Sequence, residues 1–327
     1  MSTKKIKNLV FSGGELRGLA YIGIQKALEE IGILGNIENI LGVSVGSIFA
    51  LTICLGYTSS QIEKIVLSLE IDRLKDIEAD GIFRIFTKFG LDSAKQFEKL
   101  YKILIRKKLD SEDATFSDLK QKFPDKNLLV WGSNLNLDRG EYFSYETTPN
   151  MRLWEAIRIS TCFPIYFEAY RHNGYLYADG GISNNYPIDY FHNSIEETLG
   201  IVLKHDDKNS REEIDNFEKY IISLLKCITQ STQNIMESQY KKYTVTLDIP
   251  YSFLNLDISD IAKKTNIEAG YTQFIDKFNR LYQRKEVDPV DIIDNGECVN
   301  EVISDIQSVI SYRSNSIDIE NTIDNVL

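Results

Sequence analysis

Cysteine and histidine are scarce in this sequence of 327 residues, which contains four of the first and three of the second. The cysteines lie far apart and form no pattern typical of a disulfide framework or a zinc site. We therefore expect reduced thiols in the protein core, no metal ion and no cofactor. The cysteines are Cys54, Cys162, Cys227 and Cys298.

Long apolar runs are also missing, because no stretch reaches the ~18 apolar residues that a membrane-spanning helix needs. Residues 1–7 are polar and basic, and the apolar run that follows at residues 9–11 is too short for a signal peptide. The sequence therefore predicts a cytoplasmic protein, with peripheral contact at membranes.

The sequence has no excess of positive charge, and its net charge is −11. Residues 286–327 contain ten acidic residues and a single basic one, Arg313, so the rest of the chain is nearly neutral. This balance does not resemble a nucleic-acid-binding surface. No linker or repeat divides the chain, so we predict one large domain over residues 1–285. The acidic C-terminal extension, residues 286–327, is predicted to be partly helical because apolar residues recur there at helical spacing.

One pentapeptide has the form of a strained turn between a strand and a helix, Gly42-Val43-Ser44-Val45-Gly46. The residues before it are typical of a buried strand, and those after it of an apolar helix. Such an elbow exposes the serine hydroxyl as a nucleophile. A structural turn serine between two glycines is the other interpretation of the pentapeptide alone.

A glycine-rich turn lies upstream, where Gly13, Gly14 and Gly18 follow a predicted strand at residues 8–11 and precede a predicted helix. The backbone N–H groups of such a turn can bind a phosphate or stabilise an oxyanion. A mononucleotide-binding loop needs Lys-Ser or Lys-Thr after its last glycine, and Leu19 stands there instead. The oxyanion role and a purely structural turn remain.

A third motif begins 135 residues after the serine, at Asp179-Gly180-Gly181. Taken alone, Asp-Gly between apolar stretches is typical of a hairpin turn. The order of the three motifs, however, resembles that of the patatin-like phospholipases, a family of lipid acyl hydrolases. The resemblance is clear over residues 8–190 and continues more weakly to residue 271.

The resemblance implies a three-layer α/β/α fold with a mainly parallel central sheet, and catalysis by a Ser-Asp dyad. Ser44 would be the nucleophile and Asp179 its base, while the N–H groups of Gly13 and Gly14 would bind the oxyanion. The substrate would be a membrane or micellar glycerolipid, cleaved at a fatty-acyl ester. Supporting residues of the motifs would be Glu15, Arg17, Gly18, Gly42, Gly46, Gly180 and Gly181.

Two side chains of the glycine-rich turn each have two interpretations. Glu15 replaces a glycine of the family motif, and a carboxylate turned inward would repel the oxyanion. As a first-turn acid it would instead favour the helix and point to solvent, which we expect. Arg17 would either attract an anionic lipid headgroup or brace the loop.

Two further alternatives concern the function. A Ser-His-Asp triad would need His192 or His205 after the acid, and neither lies in a supporting motif. A catalytically weak protein, impaired by Glu15, would bind lipid or serve as an interaction scaffold.

A route from a lipid surface would require exposed apolar residues, and residues 81–109 are the best candidate. Several aromatic residues there precede a helical stretch that also carries lysines, which is typical of an interfacial helix. The other interpretation is that the apolar stripe faces the core.

Overall fold

The computed structural model describes residues 6–77, 81–205, 213–249 and 259–282. The late strands and helix of the predicted domain lie within these ranges, whereas the acidic extension and Cys298 lie outside them. The strands are β1 Asn8–Phe11, β2 Asn39–Val43, β3 Gly90–Asp92, β4 Asn127–Asn134, β5 Arg139–Ser144, β6 Ile165–Phe167, β7 Tyr170–His172, β8 Tyr175–Ala178, β9 Thr198–His205 and β10 Thr244–Ile249.

Within the described ranges, eight strands form one sheet in the order β10-β9-β1-β2-β4-β8-β7, with β5 paired to β4. Strands β10, β9, β1, β2 and β4 run parallel, and β5, β7 and β8 add antiparallel pairs at one side. The remaining strands, β3 and β6, form a separate parallel pair. The prediction of a mainly parallel central sheet is confirmed.

Helices cover both faces of the sheet. They are α1 Ala20–Glu30, α2 Val45–Cys54, α3 Ser59–Ser68, α4 Gly81–Lys88, α5 Lys95–Leu109, α6 Phe116–Lys122, α7 Leu153–Ser160, α8 Gly181–Asn184, α9 Phe217–Gln239 and α10 Asp260–Tyr282. Short 3₁₀ helices at Glu15–Leu19 and Ile188–Glu197 connect them to the strands.

The central strands are buried on both faces, as their near-continuous apolar sequences predict. In β1, Leu9 and Phe11 join the larger core, which includes α1, α2, α7 and α10, while Val10 joins a smaller core with Ile188 and Met236. This alternation follows from the two-residue period of a strand. The helices therefore form two layers of unequal size around the sheet.

Two glycines let α1 and α10 cross closely. A Cβ atom on Gly23 would lie 1.9 Å from the Ile267 carbonyl oxygen, and one on Gly270 would lie 2.1 Å from the Ala20 carbonyl oxygen. Neither position can accept a side chain without separating the helices. Helix α10 thus holds α1, which begins directly after the 3₁₀ turn at Glu15–Leu19.

The candidate interfacial stretch is divided between surface and core. Phe83 and Phe86 of α4 are 75% and 77% exposed, whereas Tyr101, Leu104 and Ile105 of α5 are buried. The interfacial interpretation therefore fits α4 alone, and α5 packs against the core.

The cysteine prediction is correct for two residues and wrong for a third. Cys54 and Cys162 are buried free thiols, but Cys227 is exposed on α9. Its neighbour Ile228 is also exposed, because this side of α9 faces away from the sheet.

Candidate active site

Ser44 lies at a sharp turn between β2 and α2. Its φ of 52° and ψ of −129° depart from the usual regions for a residue with a side chain, a conformation that costs on the order of 1–3 kcal/mol. The flanking glycines make the turn possible, since a Cβ on Gly42 would lie 2.4 Å from the Gly46 carbonyl oxygen. A Cβ on Gly46 would lie 2.6 Å from the Ser12 carbonyl oxygen. The predicted elbow is present.

Two other serines hold the backbone of this turn. The Ser44 N–H donates to the Ser160 hydroxyl at 2.8 Å, and that hydroxyl donates to the Trp131 carbonyl at 2.7 Å. The Ser47 hydroxyl donates to the Ser44 carbonyl at 2.6 Å. These bonds fix the strained residue from both sides. Sequence reasoning assigned no role to Ser160, which lies 116 residues away.

Asp179 reaches the serine from a strand of opposite direction. Strand β8 runs antiparallel to β4 and pairs Ala178 with Ser133, whereas β2 runs parallel to β4 and pairs Val43 with Trp131. The next residue of each strand, Asp179 and Ser44, therefore lies beside the same part of β4. The Ser44 hydroxyl donates to Asp179 Oδ2 at 2.7 Å. The N–H of Gly181 donates to the other carboxylate oxygen at 2.8 Å, which fixes the carboxylate plane. The direct contact leaves no place for a histidine between the two residues.

The environment of Asp179 makes its carboxylate a stronger base than an exposed one. The side chain is 2% exposed, and burial raises its pKa from the ordinary value of 3.8 to about 7. The hydrogen bonds from Ser44 and Gly181 oppose this rise, and the negative charge of Glu15 adds to it. A carboxylate with a pKa near neutrality is suited to general-base catalysis.

The glycine-rich turn lies beside this pair because β1 and β2 are adjacent and parallel. The N–H of Gly13 donates to the Asn185 carbonyl at 3.1 Å. The prediction that Gly13 donates to an oxyanion does not fit this geometry, since its N–H already has an acceptor. Among the described residues, no acceptor is recorded for the N–H groups of Gly14 and Glu15. Gly18 packs against Val45, next to the serine.

Glu15 adopts a conformation that neither interpretation predicted. It begins the 3₁₀ helix, as expected of a first-turn acid, but with a left-handed φ of 55°. Its side chain is 20% exposed and lines the site, so the expectation that it points to solvent is wrong. Its carboxylate lies 3.7 Å from the Arg17 guanidinium. Arg17 also donates to the Gly14 carbonyl at 3.1 Å, so it does brace the loop.

Asn185 connects three parts of the site. Its carbonyl accepts from Gly13, and its side-chain Nδ2 donates to Gln233 Oε1 of α9 at 2.6 Å. In the aspartate motif, a Cβ on Gly180 would lie 2.3 Å from the Trp131 carbonyl oxygen, so this position has no space for a side chain. Asn185 follows the aspartate motif by four residues, and no sequence pattern indicated a role for it. Its contacts span 172 and 48 residues, which local patterns do not reveal.

Two cavities meet at Ser44 and Asp179. The apolar cavity has a volume of about 140 Å³ and the polar cavity about 220 Å³. Both are bordered by Glu15, Ser44, Phe163 and Asp179. The apolar cavity is also lined by Leu16, Val45, Ile48, Ile71, Phe97 and Phe167. The polar cavity is also lined by Arg17, Lys204, Lys226, Gln230, Gln233 and Asn234.

The histidines lie away from the Ser-Asp contact where their side chains are described. His172 is on the outer strand β7, 3.9 Å from a carboxylate oxygen of Glu155, and His192 is exposed. Among the described residues, no group of three or more histidine, cysteine or acidic side chains is arranged to hold a metal ion. No helix in the described ranges is long and apolar enough to cross a membrane.

A parallel α/β sheet with a serine elbow at its carboxyl edge is an architecture of ester hydrolases. The sequence model for patatin-like phospholipases matches residues 9–192, more than half of the chain. The chain belongs to the patatin-like phospholipase family and is a lipid hydrolase. The comparisons do not favour the alternative of a catalytically weak lipid-binding protein.

Two viral proteins are similar along most of their length. The uncharacterized protein R571 of Acanthamoeba polyphaga mimivirus is 33% identical over 79% of this chain and 89% of its own. The probable lipid hydrolase 463L of Invertebrate iridescent virus 6 is 30% identical over 83% of this chain and 88% of its own. Among solved structures, VipD from Legionella pneumophila superposes with a TM-score of 0.59 at 18% identity. That likeness covers 96% of this chain and 72% of VipD, and it supports the fold.

Proposed function

We propose that the protein hydrolyses fatty-acyl esters of glycerolipids through a Ser44–Asp179 dyad and an acyl-enzyme. The observation that carries this proposal is the 2.7 Å hydrogen bond from a strained, cavity-lining serine to a buried carboxylate. A nucleophile and a base within hydrogen-bond distance are the minimum requirement for nucleophilic acyl transfer.

In the first half-reaction, the Ser44 oxygen attacks the ester carbonyl carbon and its proton moves to Asp179 Oδ2. The N–H groups of Gly14 and Glu15 donate to the carbonyl oxygen as it becomes negative. The carbon–oxygen bond of the ester then breaks, and the alcohol leaves with the proton from Asp179. The acyl group remains on Ser44.

In the second half-reaction, Asp179 removes a proton from a water molecule, and the resulting hydroxide attacks the acyl carbon. The bond to Ser44 breaks, and the serine oxygen recovers the proton from Asp179. The fatty acid leaves, and the enzyme returns to its starting state. The same carboxylate thus acts as base and then acid in each half-reaction.

The two cavities suit an amphipathic ester. The apolar cavity would hold the first methylene groups of the acyl chain, whose burial contributes about 0.8 kcal/mol each. The polar cavity would hold the glycerol side of the ester.

Release of fatty acid from mixed phospholipid vesicles, measured with a chelator present, tests the activity. The Ser44→Ala variant tests its mechanism.

The activity should depend on pH through Asp179. Because this carboxyl must be ionised to accept the serine proton, we expect kcat/KM to fall roughly tenfold per pH unit below the pKa of about 7 and to level off above it. Glu15→Gln removes a negative charge that raises this pKa, so its acidic limb should move to lower pH. A pH profile measured with a short-chain monomeric ester checks both. An unmoved limb in the variant would contradict the assignment.

Helix α4 provides an apolar contact for a lipid surface beside the apolar cavity. Its Arg84 side chain donates to Glu168 at 3.0 Å, next to Phe167 of the cavity wall. We expect Phe83→Ser with Phe86→Ser to lower vesicle hydrolysis about tenfold, since each exposed ring can bury apolar area in lipid.

Hydrolysis of a short-chain monomeric ester should be unchanged in that double variant, because the two rings do not line either cavity. Ile261→Ser, at an exposed position of α10, is the matched control for loss of surface hydrophobicity. Equal losses on vesicles and on the monomeric ester would argue against a role in surface contact.

A further inference from the structure

Helix α9 presents an apolar surface to solvent, which we name the α9 stripe. Its residues are between 43% and 76% exposed, and they recur at the spacing of one helix face. A helix at a protein surface ordinarily turns such a face toward the core, so we expect another segment to cover this one. The stripe consists of Phe217, Tyr220, Leu224, Ile228 and Ile235.

The α9 stripe also lacks charge. Between Tyr220 and Ile235 the single charged residue is Lys226, which lines the polar cavity on the other side of the helix. Helices that lie on a lipid surface combine their apolar side with basic residues on the side that faces water. The stripe therefore suits a protein segment better than a lipid surface.

The described chain ends close to the end of α9. Strand β10 is the edge of the sheet, and α10 runs back along it, since Gln273 donates to the Asp248 carbonyl at 2.8 Å near the end of β10. Burial raises the pKa of the Tyr282 hydroxyl, and the charges of Glu196 and Tyr243 raise it further, so Tyr282 lies near both. Tyr243 belongs to the 3₁₀ turn that joins α9 to β10. The chain thus leaves α10 at the level where α9 ends.

Residues 283–298 are long enough to connect this point to the whole α9 stripe. At about 3.3 Å per residue they reach on the order of 50 Å. The stripe itself is only about 27 Å long, at about 1.5 Å per helical residue. Helices α9 and α10 pack on opposite faces of the sheet, so the connection has to pass only the edge strand β10. A segment that follows residue 298 can then run antiparallel to α9.

Residues 299–310 of the acidic extension have a matching apolar pattern. Apolar residues are spaced there by three, four and three positions, which is the heptad spacing of helices that pack on one another. They are Val299, Val302, Ile306 and Val309. We propose that this segment forms a helix that packs on the α9 stripe of the same chain and covers it.

The charges of the extension suit the same path. Five of its ten acidic residues lie within residues 286–297, just ahead of the apolar segment. On the way from α10 to the stripe they would pass Lys241 and Lys242, which are exposed beyond the end of α9. Opposite charges at such a surface orient a segment more than they strengthen its binding. They favour the antiparallel direction along α9.

The covalent link gives the extension an advantage over a separate partner. Attachment through a short connection corresponds to an effective concentration on the order of millimolar, well above the micromolar concentration of a second copy in solution. A second copy would present the same uncharged stripe, but it would first have to displace the extension. The extension is therefore the favoured occupant.

The thiol of Cys227 reports whether the stripe is covered. It is exposed beside Ile228, whereas the other described cysteines are buried. In the full-length chain with Cys298→Ser, we expect Val302→Asp combined with Ile306→Asp to speed the reaction of Cys227 with a chromogenic disulfide reagent at least about tenfold. The physical reason is that two carboxylates cannot enter an apolar contact without a large desolvation cost.

Ser304→Asp combined with Ser308→Asp is the matched control. These serines lie on the other side of the proposed helix, so the control adds the same charge to the same segment without entering the contact. We expect the rate of thiol modification to change by less than about twofold. Equal acceleration in both double variants would reduce the effect to charge and overturn the docking.

Hydrogen exchange of residues 299–310 tests the contact from the other partner. In the full-length chain we expect Leu224→Asp combined with Ile228→Asp to speed exchange of these amides at least about tenfold. Ile261→Asp, at an exposed position of α10, is the control and should leave the exchange unchanged. Circular dichroism verifies that each variant is folded. Both readouts are independent of ester hydrolysis.

Three results would overturn the proposal. A Cys227 thiol that reacts as fast as free cysteine, with unprotected amides at residues 299–310, would show that the extension does not cover α9. Protection that rises with protein concentration, with a doubled mass in sedimentation, would assign the stripe to a second copy. Protection that develops only after addition of phosphatidylcholine vesicles would assign it to a lipid surface.

Discussion

Replacement of Ser44 by alanine is expected to lower fatty-acid release by roughly 10³-fold or more, because no other nucleophile in the described part of the chain borders both cavities next to a base. Alanine keeps the Cβ atom and therefore the strained turn, so the loss should reflect the missing hydroxyl. The hydrogen bonds from the Ser44 N–H to Ser160 and from Ser47 to the Ser44 carbonyl involve only the backbone of residue 44.

The measurement is fatty-acid release from phospholipid vesicles with a chelator present, combined with circular dichroism to verify folding. Ser47→Ala is a useful comparison, because its hydroxyl lies one helical turn away and donates to the Ser44 carbonyl. We expect that variant to retain most activity, because the Ser47 N–H still donates to the Ser44 carbonyl at 2.9 Å. Full activity in a folded Ser44→Ala protein would exclude the acyl-enzyme.

Asp179→Asn is expected to remove turnover, by on the order of 10³–10⁴-fold, and at the same time to stabilise the fold. Asparagine is nearly isosteric with the protonated acid and can still accept from the Gly181 N–H, but it cannot take the serine proton. Loss of the base therefore leaves the site geometry intact.

The stability gain follows from the raised pKa of Asp179. Below pH 3.8 the carboxyl is protonated in both the folded and the unfolded chain, so it has no effect. Between 3.8 and about 7 the unfolded chain ionises first, and stability is lost progressively as pH rises. Above pH 7 the full cost is present, and the asparagine variant should be more stable by up to roughly 4 kcal/mol.

Urea unfolding of both proteins between pH 4 and pH 8 checks this expectation. The two free energies of unfolding should be similar at pH 4 and diverge toward pH 8. A difference in unfolding free energy that does not depend on pH would show that folding does not raise the pKa of the Asp179 carboxyl.

Replacement of all three histidines should preserve turnover, because the dyad needs no histidine. A folded but inactive histidine-free protein would contradict the dyad.

Local patterns predicted those features that depend on neighbours in the sequence. The bounds of β1 follow from a short apolar run, and the elbow at Ser44 follows from two glycines at fixed spacing. The pairing of Ser44 with Asp179 was predicted only from the order of the three motifs. No local pattern indicates that β4 lies between a parallel neighbour, β2, and an antiparallel neighbour, β8.

Features that depend on distant contacts were not predictable in the same way. Asn185 takes the Gly13 N–H, and Ser160 takes the Ser44 N–H, through pairings that only the folded sheet defines. The left-handed conformation of Glu15 was missed because an acid at a helix start ordinarily has helical dihedrals. The contribution of α9 to the polar cavity was not predicted, because the glycine-rich turn that forms the other side of this cavity lies about 200 residues earlier in the sequence.

The position of β1 has a consequence for where this protein can be cut. The family match ends at residue 192, yet β1 pairs with β9, which begins at Thr198, and α1 is locked to α10 through Gly23 and Gly270. A fragment ending at the match would turn a doubly buried strand into an unpaired sheet edge. We therefore expect an autonomous folding unit to include β9, β10 and α10, which lie beyond the recognisable motifs.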